Sequence, residues 1–178
     1  KMANSKSIGN NWEREVAKLL SKWFTGSDDE LVVWRHVSSG SIGTIRKQKG
    51  QSGKNVDGDF QCLDSRYEKF FNTFYLDSKS LSDVNLFVIN AKNQKSNQLL
   101  NEWKKVVNDA TNKYPIMIVK LRKNRSVPDF IVLHNNIKFK CNNVINVFLT
   151  EEQYNFHILV LDEFLKCNDW QTFLEENI

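Results

Sequence analysis

Two short segments, Asp57-Gly58-Asp59-Phe60 and Phe74-Tyr75-Leu76-Asp77-Ser78-Lys79, carry the residue types that phosphoryl chemistry needs. Each joins an apolar run to carboxylates at a strand end. Side chains two apart on a strand share a face, which places Lys79 beside Asp77. Hard cations such as Mg²⁺ take oxygen ligands from a few carboxylates plus substrate phosphate, and a nearby ammonium can orient water or steady charge developing on phosphate. A surface hairpin can also carry an Asp and a Lys, so this spacing alone does not make a site. By the same two-residue period Asp57 shares a face with Asp59, and either aspartate could be the ligand.

The elements that must position these groups can be read from apolar periodicity. Residues 1–9 read as a polar lead-in, with Asn10 or Asn11 as helix cap. Trp12, Val16, Leu19, Leu20 and Trp23 then recur at helical spacing until Gly26. Glu13 lies near the edge of that apolar arc and Glu15 farther from it. Leu31–Val37 reads as a strand. The following segment, residues 38–54, holds four glycines and four basic residues, Arg46, Lys47, Lys49 and Lys54, and no acidic one. Glycine and serine let backbone N–H groups approach phosphates, although such a loop can equally be a solvated insertion.

Val56–Leu63 is a short strand, 64–69 a polar turn, and Phe70–Asp77 a strand apolar enough to be central and covered on both faces. Leu86–Ile89 fits either a strand or a helix start. Leu99, Leu100, Trp103, Val106, Val107 and Ala110 have helical spacing. Pro115–Leu121 and Pro128–Leu133 read as an antiparallel pair joined by a basic turn. Lys138–Lys140 and Val144–Leu149 are further strand candidates, and Phe156–Leu161 leads to a terminal helix from Asp162. This order predicts an α/β fold, a mixed sheet with helices on its faces.

Composition bounds the function classes. At 178 residues with twelve Phe and five Trp, the chain suits one domain with a substantial core. The net charge of +4 permits a polyanionic partner without requiring one. Cys62, Cys141 and Cys167 are widely spaced and odd in number, which argues against a disulfide scaffold or structural zinc and suggests a reducing compartment. No signal-like segment and no run long enough to span a membrane is evident. Lys1 before Met2 reads as a tag remnant, with Met2 the natural start.

The signals acquire an order along the chain: Gly9-x-x-x-Glu13-Arg14-Glu15 on the first helix, Ser39-Gly40-Ser41 after the first strand, Gly58-Asp59-Phe60 opening the second, and Asp77-Ser78-Lys79-Ser80 closing the third. This resembles the PD-(D/E)XK nuclease superfamily, and within it archaeal-type Holliday junction resolvases and related phage nucleases. The resemblance covers roughly residues 9–133, with 134–178 a C-terminal strand and helix extension of a single nuclease-like domain spanning 1–178. It implies a restriction endonuclease-like sheet with core order α-β-β-β-α-β-β.

By position, the resemblance makes Glu13, Asp59 and Asp77 the metal ligands and Lys79 the residue that positions or activates the attacking water. Ser39 and Ser41 fall on the serine-bearing loop near the scissile phosphate. The implied cofactor is Mg²⁺, with Mn²⁺ able to substitute, and no organic cofactor. Gly58 replaces the family's proline, which is acceptable if the fold needs only a bend. Asp77 replaces its usual glutamate and is one methylene shorter. Gly-Asp-Phe matches the pattern best at Asp59, leaving Asp57 as a supporting residue or alternative ligand.

The implied activity is metal-dependent DNA endonuclease, in recombination or repair, in the cytoplasm of a bacterial, archaeal or phage-infected host cell. Ser39, Ser41, Arg46, Lys47, Lys49, Lys54, Lys92 and Gln94 are DNA-contact candidates. Arg122, Lys123 and Arg125 could also reach phosphates, although surface charge accounts for them equally. A junction resolvase needs two coordinated cuts and hence a homodimer. A restriction or repair nuclease on duplex, flap or single-stranded DNA is the first alternative; a DNA-binding protein with the nuclease fold and no turnover is the second. His36 lies in a strand pattern without a matched partner, which argues against a general-base role, and no nucleophile elbow accompanies Ser65, Ser78 or Cys62.

Overall fold

A computed structural model describes residues 5–36, 58–82, 84, 97–124 and 126–178, with side chains from residue 8 onward. Helix α1 spans Ser5–Thr25. It starts earlier than the Asn10 or Asn11 cap expected, because Ile8 adds a turn to the i, i+4 ladder Trp12, Val16, Leu20 and Phe24. Asn10 lies inside the helix, where its side-chain oxygen accepts from the Arg35 guanidinium at 3.1 Å.

Strands β1 (Val33–Arg35) and β2 (Phe60–Cys62) form an antiparallel ribbon, each shorter than its apolar run suggested. A 3₁₀ turn at Ser65–Tyr67, capped by the Asp64 carboxylate, leads into helix α2 (Glu68–Thr73). Phe70 and Phe71 are therefore helical, and the strand expected from Phe70 begins at Phe74. Helical spacing packs the Phe70 and Phe74 rings 4.6 Å apart and turns Phe70 onto Phe24 at 5.0 Å. Aromatic packing outweighs their strand preference here.

The main sheet has the order β3-β4-β5-β7-β6: β3 (Phe74–Leu81), β4 (Tyr114–Leu121), β5 (Phe130–His134), β6 (Ile145–Val147) and β7 (Phe156–Val160). β3 and β4 are parallel, with helix α3 (Gln98–Ala110) between them in sequence, and the other pairings are antiparallel. This is the α/β mixed sheet flanked by helices expected from the sequence. β3 stands at the edge of the five strands rather than centrally. It is apolar on both sides because Phe74 and Leu76 join the core under α1, while Tyr75 and Leu81 join the core under α3.

The asparagine at 97 caps α3 by accepting from Leu100 N at 3.1 Å. The terminal helix is two helices, α4 (Leu161–Cys167) and α5 (Trp170–Glu175), separated where Asp169 caps the second by accepting from Gln171 N and Thr172 N. No strand forms at Lys138–Lys140. Its backbone pairs instead with two buried asparagines. Lys140 N donates to Asn168 Oδ1 at 2.7 Å while Asn168 Nδ2 donates to Lys140 O at 3.1 Å. Asn177 makes the same reciprocal pair with Lys138, at 2.7 and 2.9 Å. The Leu86–Ile89 segment lies outside the described residues.

Removing one of these amide brackets leaves backbone groups without partners, at a cost of about 2–3 kcal/mol. Asn168→Ala should therefore lower Tm by roughly 5–10 °C in a domain of this size. A thermal melt shifted by less than a degree would show that the bracket contributes nothing.

Candidate active site

The ribbon meets the edge of the main sheet at one residue. Asp59 N donates to Leu76 O at 2.9 Å, and Asp59 O accepts from His36 N at 2.7 Å, so the backbone of Asp59 is held between β1 and β3. Gly58 makes this approach possible. Its φ of +75° is the left-handed region, and an added Cβ would stand 2.3 Å from Leu76 O. Proline, with φ near −65°, cannot adopt this conformation, so Gly58 is a requirement of the crossing rather than a tolerated bend.

The carboxylate of Asp59 is aimed by β3. Its Oδ2 accepts from Ser78 N at 3.0 Å and from Ser78 Oγ at 3.4 Å. The flanking β3 residues Asp77 and Lys79 share the opposite strand face, where Lys79 Nζ lies 2.6 Å from Asp77 Oδ1. Glu13 reaches the neighbourhood from α1, with its Oε2 3.0 Å from Arg35 Nε. Glu15, one residue pair farther along α1, pairs instead with Lys120 at 2.6 Å. Asp59 and Asp77 are both buried, and the Glu13 side chain is only 16% exposed.

Burial of this many charges perturbs their protonation. Burial, and then the nearby Asp59 charge, push the Asp77 carboxyl well above the usual aspartate range despite Lys79. Burial and Asp59 likewise raise Glu13, against the opposing pull of Arg35 and Lys79. For Lys79, burial disfavours the ammonium, but the Asp77 and Asp59 carboxylates outweigh it and its pKa is raised. Lys79 is therefore a cation at neutral pH. Asp59 acts on both other carboxyls, so it is the electrostatic centre of the group.

Whether these residues suit a hard cation can be judged from atoms that lack ordinary partners. Among the described residues, Glu13 Oε2 and Asp77 Oδ1 are buried oxygens without an aligned hydrogen bond, although each lies within ion-pair distance of a cation. Carboxylate oxygens of this kind, repelling one another around Asp59, are the donor type that Mg²⁺ takes. No group of three or more His, Cys, Asp or Glu side chains is gathered closely enough among the described residues to hold a metal as it stands. Arg35 holds Glu13, and Lys79 holds Asp77.

Other sequence candidates lie outside the described residues: Asp57, Ser39, Ser41, Arg46, Lys47, Lys49, Lys54, Lys92, Gln94 and Arg125. Arg122 and Lys123 are exposed after β4. Three contributors were not foreseen. Arg35 restrains Glu13, Ser78 aims Asp59, and Asn10 anchors the Arg35 guanidinium. The only sequence signal for Arg35 was a lone cation closing a strand before the basic segment.

The α/β fold, a mixed sheet flanked by helices, is consistent with restriction endonuclease-like architecture. Residues 4–173 match the family described as "Phage putative PDDEXK endonuclease", and the chain belongs to that family and so to the PD-(D/E)XK superfamily. No curated protein and no solved structure matches the chain. Among the described residues no helix is long and apolar enough to cross a membrane.

The raised carboxyls set a pH dependence for the metal-free protein. Their stabilising contribution is full below the ordinary values of 3.8 for Asp77 and 4.5 for Glu13, and is lost as pH rises through the higher folded values. Between pH 4 and 7 in chelator, wild type should therefore lose more Tm than Asp77→Asn. Parallel Tm profiles would contradict the upward shift of the buried Asp77 carboxyl.

Proposed function

We propose that this chain is a Mg²⁺-dependent DNA endonuclease that hydrolyses backbone phosphodiester bonds. The observation that carries the reading is the Asp77–Lys79 ion pair beside an Asp59 carboxylate fixed by Ser78. Glu13, Asp59 and Asp77 would hold the cation. A bound Mg²⁺ or Mn²⁺ supplies Lewis-acid polarisation of the phosphate and a water of lowered pKa.

The protein's own groups do the positioning. Ser78 keeps Asp59 in one orientation, so that carboxylate need not reorganise when charge develops. Lys79, an ammonium at neutral pH, donates a hydrogen bond and positive charge to the phosphate or the attacking water rather than removing a proton. Arg35 restrains Glu13 at the helix edge until a stronger cation competes for it. Both described ends flanking the basic segment, His36 and Gly58, are at the site. Ser39, Ser41, Arg46, Lys47, Lys49 and Lys54 belong to the segment between these two residues in sequence, and they are assigned a grip on the DNA backbone that weakens with salt. Lys92 and Gln94 precede α3 and are assigned the same role.

We take residues 1–178 as one nuclease unit, with Asp57 a supporting residue. Junction resolution by a homodimer is the sharpest option within the class; cleavage of duplex, flap or single-stranded DNA is its rival. A second reading, DNA binding without turnover, draws support from the pairing of Asp77 and Glu13 with protein cations. Incubation of labelled four-way junction, flap, nicked duplex, linear duplex and single strand with Mg²⁺ or chelator separates these readings. Cleavage in Mg²⁺ alone supports the enzyme, and equal binding in chelator with no product in Mg²⁺ supports the scaffold.

Asp59→Asn should reduce cleavage at least about 10³-fold, comparable to losing a central electrostatic group, with Tm nearly unchanged. Normal cleavage by Asp59→Asn with Asp57→Asn inactive would overturn the ligand assignment. Lys79→Ala should lower turnover about 10²-fold while DNA affinity in a gel shift changes little. Loss of binding as the main defect would assign Lys79 to DNA capture instead.

A further inference from the structure

A cavity of about 730 Å³ opens between the N-terminal half of α1 and the C-terminal ends of β3 and β4, on the α1 face of the sheet. Its position follows from register. Ser80, two residues beyond Ser78 on the same face of β3, lines it and pairs across the sheet with Lys120, which also lines it. Strand residues rise about 3.3 Å each, so the wall of the cavity starts about 7 Å along β3 from Ser78, the residue that aims Asp59, on the face opposite Lys79.

Its lining is mixed in a particular way. Trp12, Leu121 and Val127 provide apolar surface. Among the described residues the buried Ser80 hydroxyl oxygen has no hydrogen-bond partner. The Asp129 carboxyl is half-buried in the wall, and Lys120 already shares its charge between Glu15 at 2.6 Å and the Trp12 ring at 4.8 Å. The interior is poorly suited to a phosphate, because Lys120 is neutralised and the Glu15 and Asp129 carboxylates face it, while Arg122, the other cation of the lining, is exposed. A nucleobase suits it well: a flat body with apolar faces, and an edge of donors and acceptors that a hydroxyl and a carboxyl can meet.

We propose that this cavity takes the base of the nucleotide flanking the scissile phosphate, so that the preferred substrate carries an unpaired nucleotide there. The inference rests on the nuclease reading and narrows its substrate. Extracting a paired base from its stack is unfavourable, and an already unpaired base avoids that cost. Single-stranded, flapped or branched DNA is therefore favoured over continuous duplex.

Two measurements test it. Oligonucleotides with 2-aminopurine at successive positions are bound in chelator, where nothing is cut. Fluorescence should rise several-fold at one position, as the base leaves its stacked neighbours. Val127→Trp, which fills the cavity from a rim position 37% exposed, should abolish the rise. Ser80→Leu should do the same from the floor, its folding checked by thermal melt. In Mg²⁺, wild type should cleave a single strand at least tenfold faster than one abasic at that position, and in Val127→Trp the ratio should fall to about one.

Cleavage with no base preference and no fluorescence change would overturn the cavity assignment and leave the nuclease reading standing. A cavity-dependent rise without cleavage in any metal would overturn turnover but keep the base site. Neither signal would overturn both.

Discussion

The crossing of Asp59 over β3 is the contact on which the rest of this site depends. One residue donates to Leu76 O and accepts from His36 N, which ties a short two-stranded ribbon to the edge of a five-stranded sheet. Three-residue strands contribute little alone, so the ribbon's position relies on this junction and on packing against α1. The approach is so close that only glycine fits at position 58. Once it is made, the side chain of Asp59 falls within reach of Ser78, and its charge acts on both Glu13 and Asp77. Fold and electrostatics thus meet in a single peptide unit.

The cost of that convergence is borne by the metal-free state. Carboxyls brought together away from water disfavour one another's ionisation, and the protein offsets this with Lys79 and Arg35. The arrangement separates two kinds of cation. Arg35 and Lys79 are tethered and hold the carboxylates in place, while the divalent ion of the proposed reading would bring more charge and take several oxygens at once. Sites that store this kind of repulsion are where perturbed ionisation and function coincide.

Much of the framework could be read from the chain. The i, i+4 apolar ladder gave α1 and α3, and unbroken apolar runs gave β3, β4 and β5, because burial on one stripe or on both faces leaves a period in the sequence. The pairing of Asp77 with Lys79 also followed from strand alternation alone. What failed depended on contacts remote in sequence. Phe70 and Phe71 looked like strand residues until rings from α1 and α5 packed on them in a helix. Lys138–Lys140 reads as a short strand, but its backbone partners are the side chains of Asn168 and Asn177. Arg35 and Ser78 were not foreseen because nothing local says which carboxylate each will meet. Gly58 was read as a bend, whereas its role is set by the carbonyl it must pass.

The most direct test of the central claim is calorimetric titration of Mn²⁺ into the metal-free protein, with no DNA present. The account predicts saturable binding by wild type that both Asp59→Asn and Asp77→Asn abolish, and that Asp28→Asn, whose exposed carboxylate pairs with Lys22, leaves intact. Equal Mn²⁺ affinity in all four proteins would contradict it.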